Sequence, residues 1–311
     1  MEKITGMDWL KKHIQPLEVT NSQFKKDIDE IIKIQPEVYN EFNEWTPLKL
    51  VFLNYALDVC TIIINKYFDN KYYVDLFAGS GINKMKNKKD FLIGSPLIAT
   101  LRYRNKFTKL FFCESDLSLF DSLKERLDYF KEQKLLTFSK NCNECLDDII
   151  REINKDQGYS FFFIDPHCME FDWGSMKKVL NLRSDIVFTL MSGQIIRTVQ
   201  LAKKYKECAG EGLNVFFGDE SWKSIDDVDD LVKVYSENIV KEKGDCIVKD
   251  IKIQSKKFNF VYHMLFITHK TKNDSSWLKA LEKAKKEIES NSDKSVEMAL
   301  ELVTKRQRTL F

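Results

Sequence analysis

Four short stretches set acids, amides and glycines where strands should end. In "YYVDLFAGSG" (72–81) an aromatic and β-branched run closes on Asp75, and Phe77, Gly79 and Gly81 follow in a small-residue turn. Glycines let backbone approach a ligand closely and take positive φ, while a carboxylate accepts from an ammonium group or an ordered water. An acid here suits a zwitterionic amino acid with a sulfonium centre better than a pyrophosphate. The spacing is also G-x-G, without the G-x-G-x-x-G of dinucleotide sites. In "FFCES" Glu114 closes a second strand and can receive two ribose hydroxyls. In "FSKNCNE" Asn141, beside Cys142, and Asn143 can address an adenine edge. "FFFIDPHCMEF" closes a very hydrophobic strand on Asp165-Pro166-His167, a place for chemistry next to a cofactor's methyl group.

Each stretch has a plainer reading. A Gly-x-Gly can be only a turn, Glu114 a helix N-terminal acid ahead of Ser115-Asp116, and Asp-Pro a strand end because proline cannot continue a ladder. Taken in order, each at a strand end, they favour S-adenosylmethionine (SAM) as the ligand. Asp165-Pro166-His167-Cys168 resembles the Asp-Pro-Pro-Tyr signature of amino-group DNA and RNA methyltransferases, in which a carboxylate and a proline carbonyl orient an exocyclic amine. It departs at the last two positions, where His167 can stack or act as a base near neutral pH and Phe171 can supply a platform.

The glycine turn does not lead straight into a helix. Ser95 suits a helix N-cap and Pro96 a first helical position, so Ile82–Gly94 reads as an insertion at the mouth of the site. It holds Lys84, Lys86, Lys88 and Lys89. A solvated basic loop and a phosphate-contacting flap for a polyanionic substrate are both open. One Cys142-x-x-Cys145 pair without a second pair rarely makes a zinc site, and no metal is expected. Packing cysteines suit these positions better than redox ones, and Trp173 and Trp222 read as core anchors.

These residues need elements to position them. Strands are expected at Tyr72–Phe77, Lys109–Glu114, Leu135–Ser139, Tyr159–Asp165 and Asp185–Met191. Helices are expected near Ser95–Arg104, Asp116–Lys131, Asn143–Asn154 and Asp172–Leu182. Several strands are apolar on both faces, as buried parallel strands are. Upstream, short helices are expected over Ser22–Ile34 and Glu37–Trp45, and a longer one runs from Thr46 to Ile64. Near the end, "CIVKDIKIQS" and "NFVYHMLFITH" read as a hairpin-like strand pair. The predicted class is α/β, a mostly parallel Rossmann-like sheet with a terminal antiparallel strand pair and an N-terminal helical cap. That is the arrangement of class I SAM methyltransferases. The expected parts are a cap over 1–70, an α/β core over 71–275, and a C-terminal helix and tail over 276–311.

Composition sets bounds. With 43% hydrophobic and 13% aromatic residues across 311 positions, the chain can bury a sizeable core. A formal net charge of +2 says nothing by itself about nucleic acid. The opening "MEKITGMDWLKKH" has no signal-peptide core, and no apolar run approaches the ~20 residues of a membrane span. Seven scattered cysteines without a secretion signal suggest a reduced, cytoplasmic protein with no membrane association.

The chain resembles the three-Cys-motif partner proteins (TcmP). The resemblance rests on "VDLFAGSG…GSPLIA" (74–99), "CNECL" (142–146), "FFFIDPHCMEFDW" (161–173), "LNVFFGDESW" (213–222) and "VYHMLFITHKTK" (261–272), and covers most of the chain from about residue 45. It implies a SAM-methyltransferase-like fold and a partner with a three-cysteine motif similar to radical-SAM enzymes. By matching positions, Asp75, Gly79 and Gly81 would hold the cofactor's amino-acid end, Glu114 its ribose and Asn141 its base. The family pattern often has Asp at the position of Asn141. Two readings follow: methyl transfer from SAM, with nucleic acid the favoured substrate, or a non-catalytic SAM-binding module serving the three-Cys partner. The tail adds a further candidate contact. After an expected helix over Val296–Lys305, Gln307, Leu310 and Phe311 form Gln-x-x-Leu-Phe. Such a tail either tucks back onto the domain or docks on a sliding clamp, the Leu-Phe pair filling an apolar pocket.

Overall fold

Side chains alternate across a strand, and here the alternation feeds two separate cores. Phe161 and Phe163 pack with Tyr73, Phe112 and Phe266 on one face of the central sheet. Phe162 and Ile164 pack with Val74, Phe111 and Phe188 on the other. That is why "FFFI" is apolar throughout. In the computed structural model the described residues are 6–85, 91–205, 210–270 and 276–307.

Seven strands form the sheet: β2 (Lys71–Asp75), β5 (Lys109–Glu114), β6 (Leu135–Ser139), β7 (Tyr159–Ile164), β8 (Ser184–Leu190), β9 (Cys246–Ser255) and β10 (Phe260–His269), in the order β6-β5-β2-β7-β8-β10-β9. All neighbours pair in parallel except β10, which runs antiparallel to both β8 and β9. The last two strands therefore make one antiparallel pair, with β9 pointing the same way as the body of the sheet. This strand order, with its single reversed strand beside the edge, is the class I SAM-methyltransferase (Rossmann-like) fold. The chain leaves β2 in one direction and returns to β7 in the other, so the switch point between them is where ligands bind in such sheets.

The first face is covered by α1 (Gly6–Gln23), α3 (Thr46–Tyr67), α5 (Leu117–Asp128), α11 (Ser276–Ser290) and α12 (Ser292–Gln307). The second carries α6 (Cys142–Asp156), α7 (Trp173–Leu180), α8 (Ser192–Tyr205), α9 (Gly210–Phe217) and α10 (Val228–Lys243). The sequence pattern assigns no elements between residues 191 and 246, where α8, α9 and α10 lie. Helices that sequence divides between cap and C-terminal segment pack on one another: α1 lies on α11 and α12, and α12 on α3.

Three expectations are corrected. Glu37–Trp45 is not a helix: it contains β1 (Asn40–Phe42), which pairs in parallel with β3 (Ile82–Met85). A stretch so short cannot nucleate a helix unaided, and pairing with β3 satisfies its backbone instead. The insertion is a hairpin, since β3 pairs antiparallel with β4 (Phe91–Ile93), giving a small three-stranded sheet, β1-β3-β4. Finally, α3 is long and apolar enough to cross a membrane, with a mean hydropathy of 1.6 over its best window. However, 78% of that window is buried within the protein.

Candidate functional site

The carboxyl ends of β2, β5 and β7 open on one cleft of about 780 Å³, lined among others by Phe77, Gly79, Gly81, Glu114, Asn141, Cys142, Asp165, Pro166 and His167. That volume suits a nucleoside-sized ligand. Seven residues assigned from separate motifs and two glycines thus meet at one sheet edge.

The glycine turn is shaped by positive φ, +60° at Gly79 and +80° at Gly81. A Cβ at Gly79 would also lie 2.5 Å from Asn40 Oδ1. Glu114 ties two strand ends together: one oxygen accepts from Gly79 N–H at 2.9 Å and the other from Asp116 N–H at 2.8 Å. The helix N-cap role belongs to Asp116, which accepts from Leu119 N–H, so Glu114 itself is not spent on capping and faces the cleft. Asn141 does cap α6, its Oδ1 accepting from Asn143 N–H at 2.9 Å. With the oxygen committed, its amide N–H groups are what remain for a ligand.

Asp75 lies behind the turn rather than in the cleft wall, and is fully buried. The Tyr73 hydroxyl and Phe77 N–H donate to it at 3.2 and 3.3 Å, and the Ser95 hydroxyl also donates. Burial pushes its carboxyl up to about 7 against those donors. Ser95 is accordingly the first residue of the short helix α4 (Ser95–Ile98), and Gly94 takes the N-cap position.

Sequence reasoning missed the residues that the N-terminal segment contributes. Lys49 of α3 is only 6% exposed, and its ammonium donates to Asp165 Oδ1 at 2.6 Å. The signal was present: a lone lysine inside "PLKLVFLNYAL" cannot reach water on an apolar helix and must be paired. Asn40 Oδ1 accepts from Ser80 N–H at 2.7 Å, placing β1 over the glycine turn. Arg126, 1% exposed, fastens this arrangement by donating to the carbonyls of Ser80, Ile34, Gln35 and Val38 at 2.7–3.0 Å. Among the described residues no carboxylate is in hydrogen-bond contact with it, and burial lowers its pKa to about 10.

The remaining expected residues divide between core, cleft and surface. Phe171 is buried in the core beside Phe188 and is no platform. Cys142 and Cys145 are buried free thiols, and burial pushes the Cys142 thiol up to about 12. Among the described residues no cluster of three or more metal-capable side chains occurs. His167 is exposed at the cleft. Lys84 sits over the rings of Tyr39 and Phe91, at 4.6 and 5.5 Å. Lys86, Lys88 and Lys89 lie outside the described residues, as do Leu310 and Phe311, while Gln307 ends α12.

No protein-family model matches the chain, and no curated protein matches it. Among solved structures, protein LPL1258 from Legionella pneumophila, whose family model is DUF519, overlays with a TM-score of 0.51 at 10% identity, covering 77% of this chain and 90% of its own. That likeness shows a shared fold. An rRNA methylase from Streptococcus thermophilus overlays at TM-score 0.37 and 10% identity, covering 69% of this chain and 96% of its own. A magnesium protoporphyrin IX methyltransferase from Synechocystis overlays at 0.35 and 8% identity, covering 82% and 99%. These last two overlays are too loose to bear on function. The class I methyltransferase-like fold therefore stands on the strand order.

Proposed function

We propose that the protein is a SAM-dependent methyltransferase acting on nucleic acid. The observation behind this is the convergence of the glycine turn, Glu114 and Asp165-Pro166, from three strands, on one cleft at the switch point. The residues fit the cofactor. Among the described residues Glu114 accepts only backbone N–H groups, and it can exchange one of them for ribose hydroxyls. Asn141 offers amide N–H groups to a base nitrogen. Gly79 lines the cleft in a positive-φ turn, where its backbone can meet the amino-acid end, with Asp75 supporting the turn from behind. Bound there, SAM supplies an electrophilic methyl group on a sulfonium centre.

Nucleic acid is supported as the acceptor by Asp165-Pro166, by the half-buried Trp45 ring in the cleft wall, and by the lysine-bearing hairpin at its mouth. The resemblance to TcmP proteins supports a second reading, a non-catalytic SAM-binding partner of a three-Cys-motif protein. The one structural feature in its favour is that Lys49 already engages Asp165.

The test is calorimetric titration with SAM and S-adenosylhomocysteine, followed by transfer of a labelled methyl group to RNA and DNA. Binding with transfer is expected. Binding without transfer to any nucleic acid would favour the second reading, and no binding would sink both.

A further inference from the structure

The end of the cleft near Asp165 is furnished by the N-terminal segment. Trp45 stands at the start of α3 and Lys49 four residues on, so their side chains are neighbours on one helix face. Both line the cleft. The Trp45 ring lies 4.9 Å from that of Phe260, tilted by 59°. The Lys49 ammonium stands 5.4 Å from the centre of the Tyr262 ring, and the Tyr262 hydroxyl donates to Trp45 O at 3.2 Å. Among the described residues, Asp165 is the one hydrogen-bond partner of that ammonium, which has three N–H groups. Asp165 in turn has a second oxygen, and its side chain is 23% exposed. A buried lysine is costly to desolvate, and an apolar side chain would fill the space more stably. Its presence at a ligand cleft points to recognition.

We propose that Trp45, Lys49 and Asp165 together read a flat amino-heterocycle. The ring lies on Trp45, an exocyclic amine donates to Asp165, and the ring nitrogen beside it accepts from Lys49. This rests on the nucleic-acid methyltransferase reading and narrows it to the pairing edge of adenine or cytosine, presented as a single-stranded or extruded base. Uracil and thymine have no exocyclic amine for Asp165 to align. Guanine's amine stands beside a ring N–H on its pairing edge, which leaves Lys49 without an acceptor. In the transfer, the amine nitrogen forms the new bond to the methyl carbon. The donor's C–S bond breaks with its electrons left on sulfur, and the nitrogen loses one proton through Asp165 to water.

The experiment offers the full chain methyl-labelled SAM with single-stranded oligonucleotides of one base each, as RNA and as DNA, and separates the nucleosides after digestion. Label is expected on the exocyclic nitrogen of adenine or cytosine. A charge-swapped double variant, Lys49→Glu with Asp165→Lys, keeps an ion pair while exchanging donor and acceptor. It should bind SAM like the parent yet lose transfer by about 100-fold or more, the scale of a misplaced reacting group. If the swap does not fold, Lys49→Met with Asp165→Leu removes the pair without leaving a buried charge, and the same split between binding and transfer is expected. Trp45→Leu should raise KM for the oligonucleotide more than it lowers kcat. Label on a ribose, a ring carbon or guanine, or a swapped variant as active as the parent, overturns the inference and leaves nucleic-acid methylation standing. SAM bound with label on no nucleic acid overturns that reading and the inference with it.

Discussion

The two halves of the cleft are built differently. The half around Gly79, Glu114 and Asn141 is local: each residue closes a strand, sits in the turn after one or caps the next helix, so strand registry brings them together. The half around Asp165 is assembled from Trp45 and Lys49 at the start of α3 and Tyr262 of β10, segments far apart in the chain. Between them stand Arg126 and Asn40, which tie the N-terminal segment to the glycine turn. The local half can be formed by any sheet of this order, whereas the assembled half exists only while the N-terminal segment stays docked. On the proposed reading, the residues that would hold the cofactor and those that would hold the acceptor are thereby separated.

The sharpest way to break this division is Arg126→Met. It leaves carbonyls of Ser80, Ile34, Gln35 and Val38 without their buried donor, and each orphaned group costs ~1–3 kcal/mol. A loss of about 3 kcal/mol or more in urea unfolding is expected, with protease cleavage appearing first around residues 34–40. Unchanged stability would show that the two halves are not fastened here.

Asp75 tests whether the local half is held from behind. Its folded pKa, about 7, lies above the ordinary aspartate value of 3.8, so the folded state binds the extra proton between those values. The stabilisation is therefore complete below pH 4 and is lost as pH rises through 7. The half-buried His13 and the buried His263, both lowered to about 4, act in the opposite sense below pH 6.5. The difference between parent and Asp75→Asn isolates the acid: the variant should be more stable at pH 8 by roughly 2–4 kcal/mol, and the gap should narrow as pH falls and close below pH 4. A pH-independent gap in thermal unfolding would contradict the buried-acid reading.

Glu114→Ala should weaken SAM by about tenfold or more, since it removes charge-assisted hydrogen bonds. In calorimetry it should exceed the effect of Asp75→Asn, because only Glu114 lines the cleft. Equal effects would erase the distinction between wall and support.

The smallest effect is expected at the hairpin. Lys84→Ser should leave SAM affinity alone and flatten the salt dependence of nucleic-acid binding by about one unit of slope. Replacing Lys86, Lys88 and Lys89 as well should flatten it further. An unchanged slope would return the hairpin to a covering role.

How much of this was legible differs by half. Glu114, Asn141 and Asp165 could be read because each closes an apolar run whose period declares a strand, and a strand end is a place. Both β9 and β10 were legible for the same reason. Lys49 left a faint signal as a charge in an apolar helix. Asn40 left none, since β1 has too few residues to declare itself and draws its hydrogen bonds from a hairpin that follows about forty residues later.

The sequence by itself determined the sheet, its two apolar faces and the row of polar residues at its edge, because these follow from local periodicity and turn chemistry. Only the tertiary structure decided that Asp75 supports the site from within, that Lys49 engages Asp165, and that the basic insertion pairs with an N-terminal strand. Each depends on burial and on partners distant in the chain, and side-chain spacing along one segment holds no information about what another segment will bring against it.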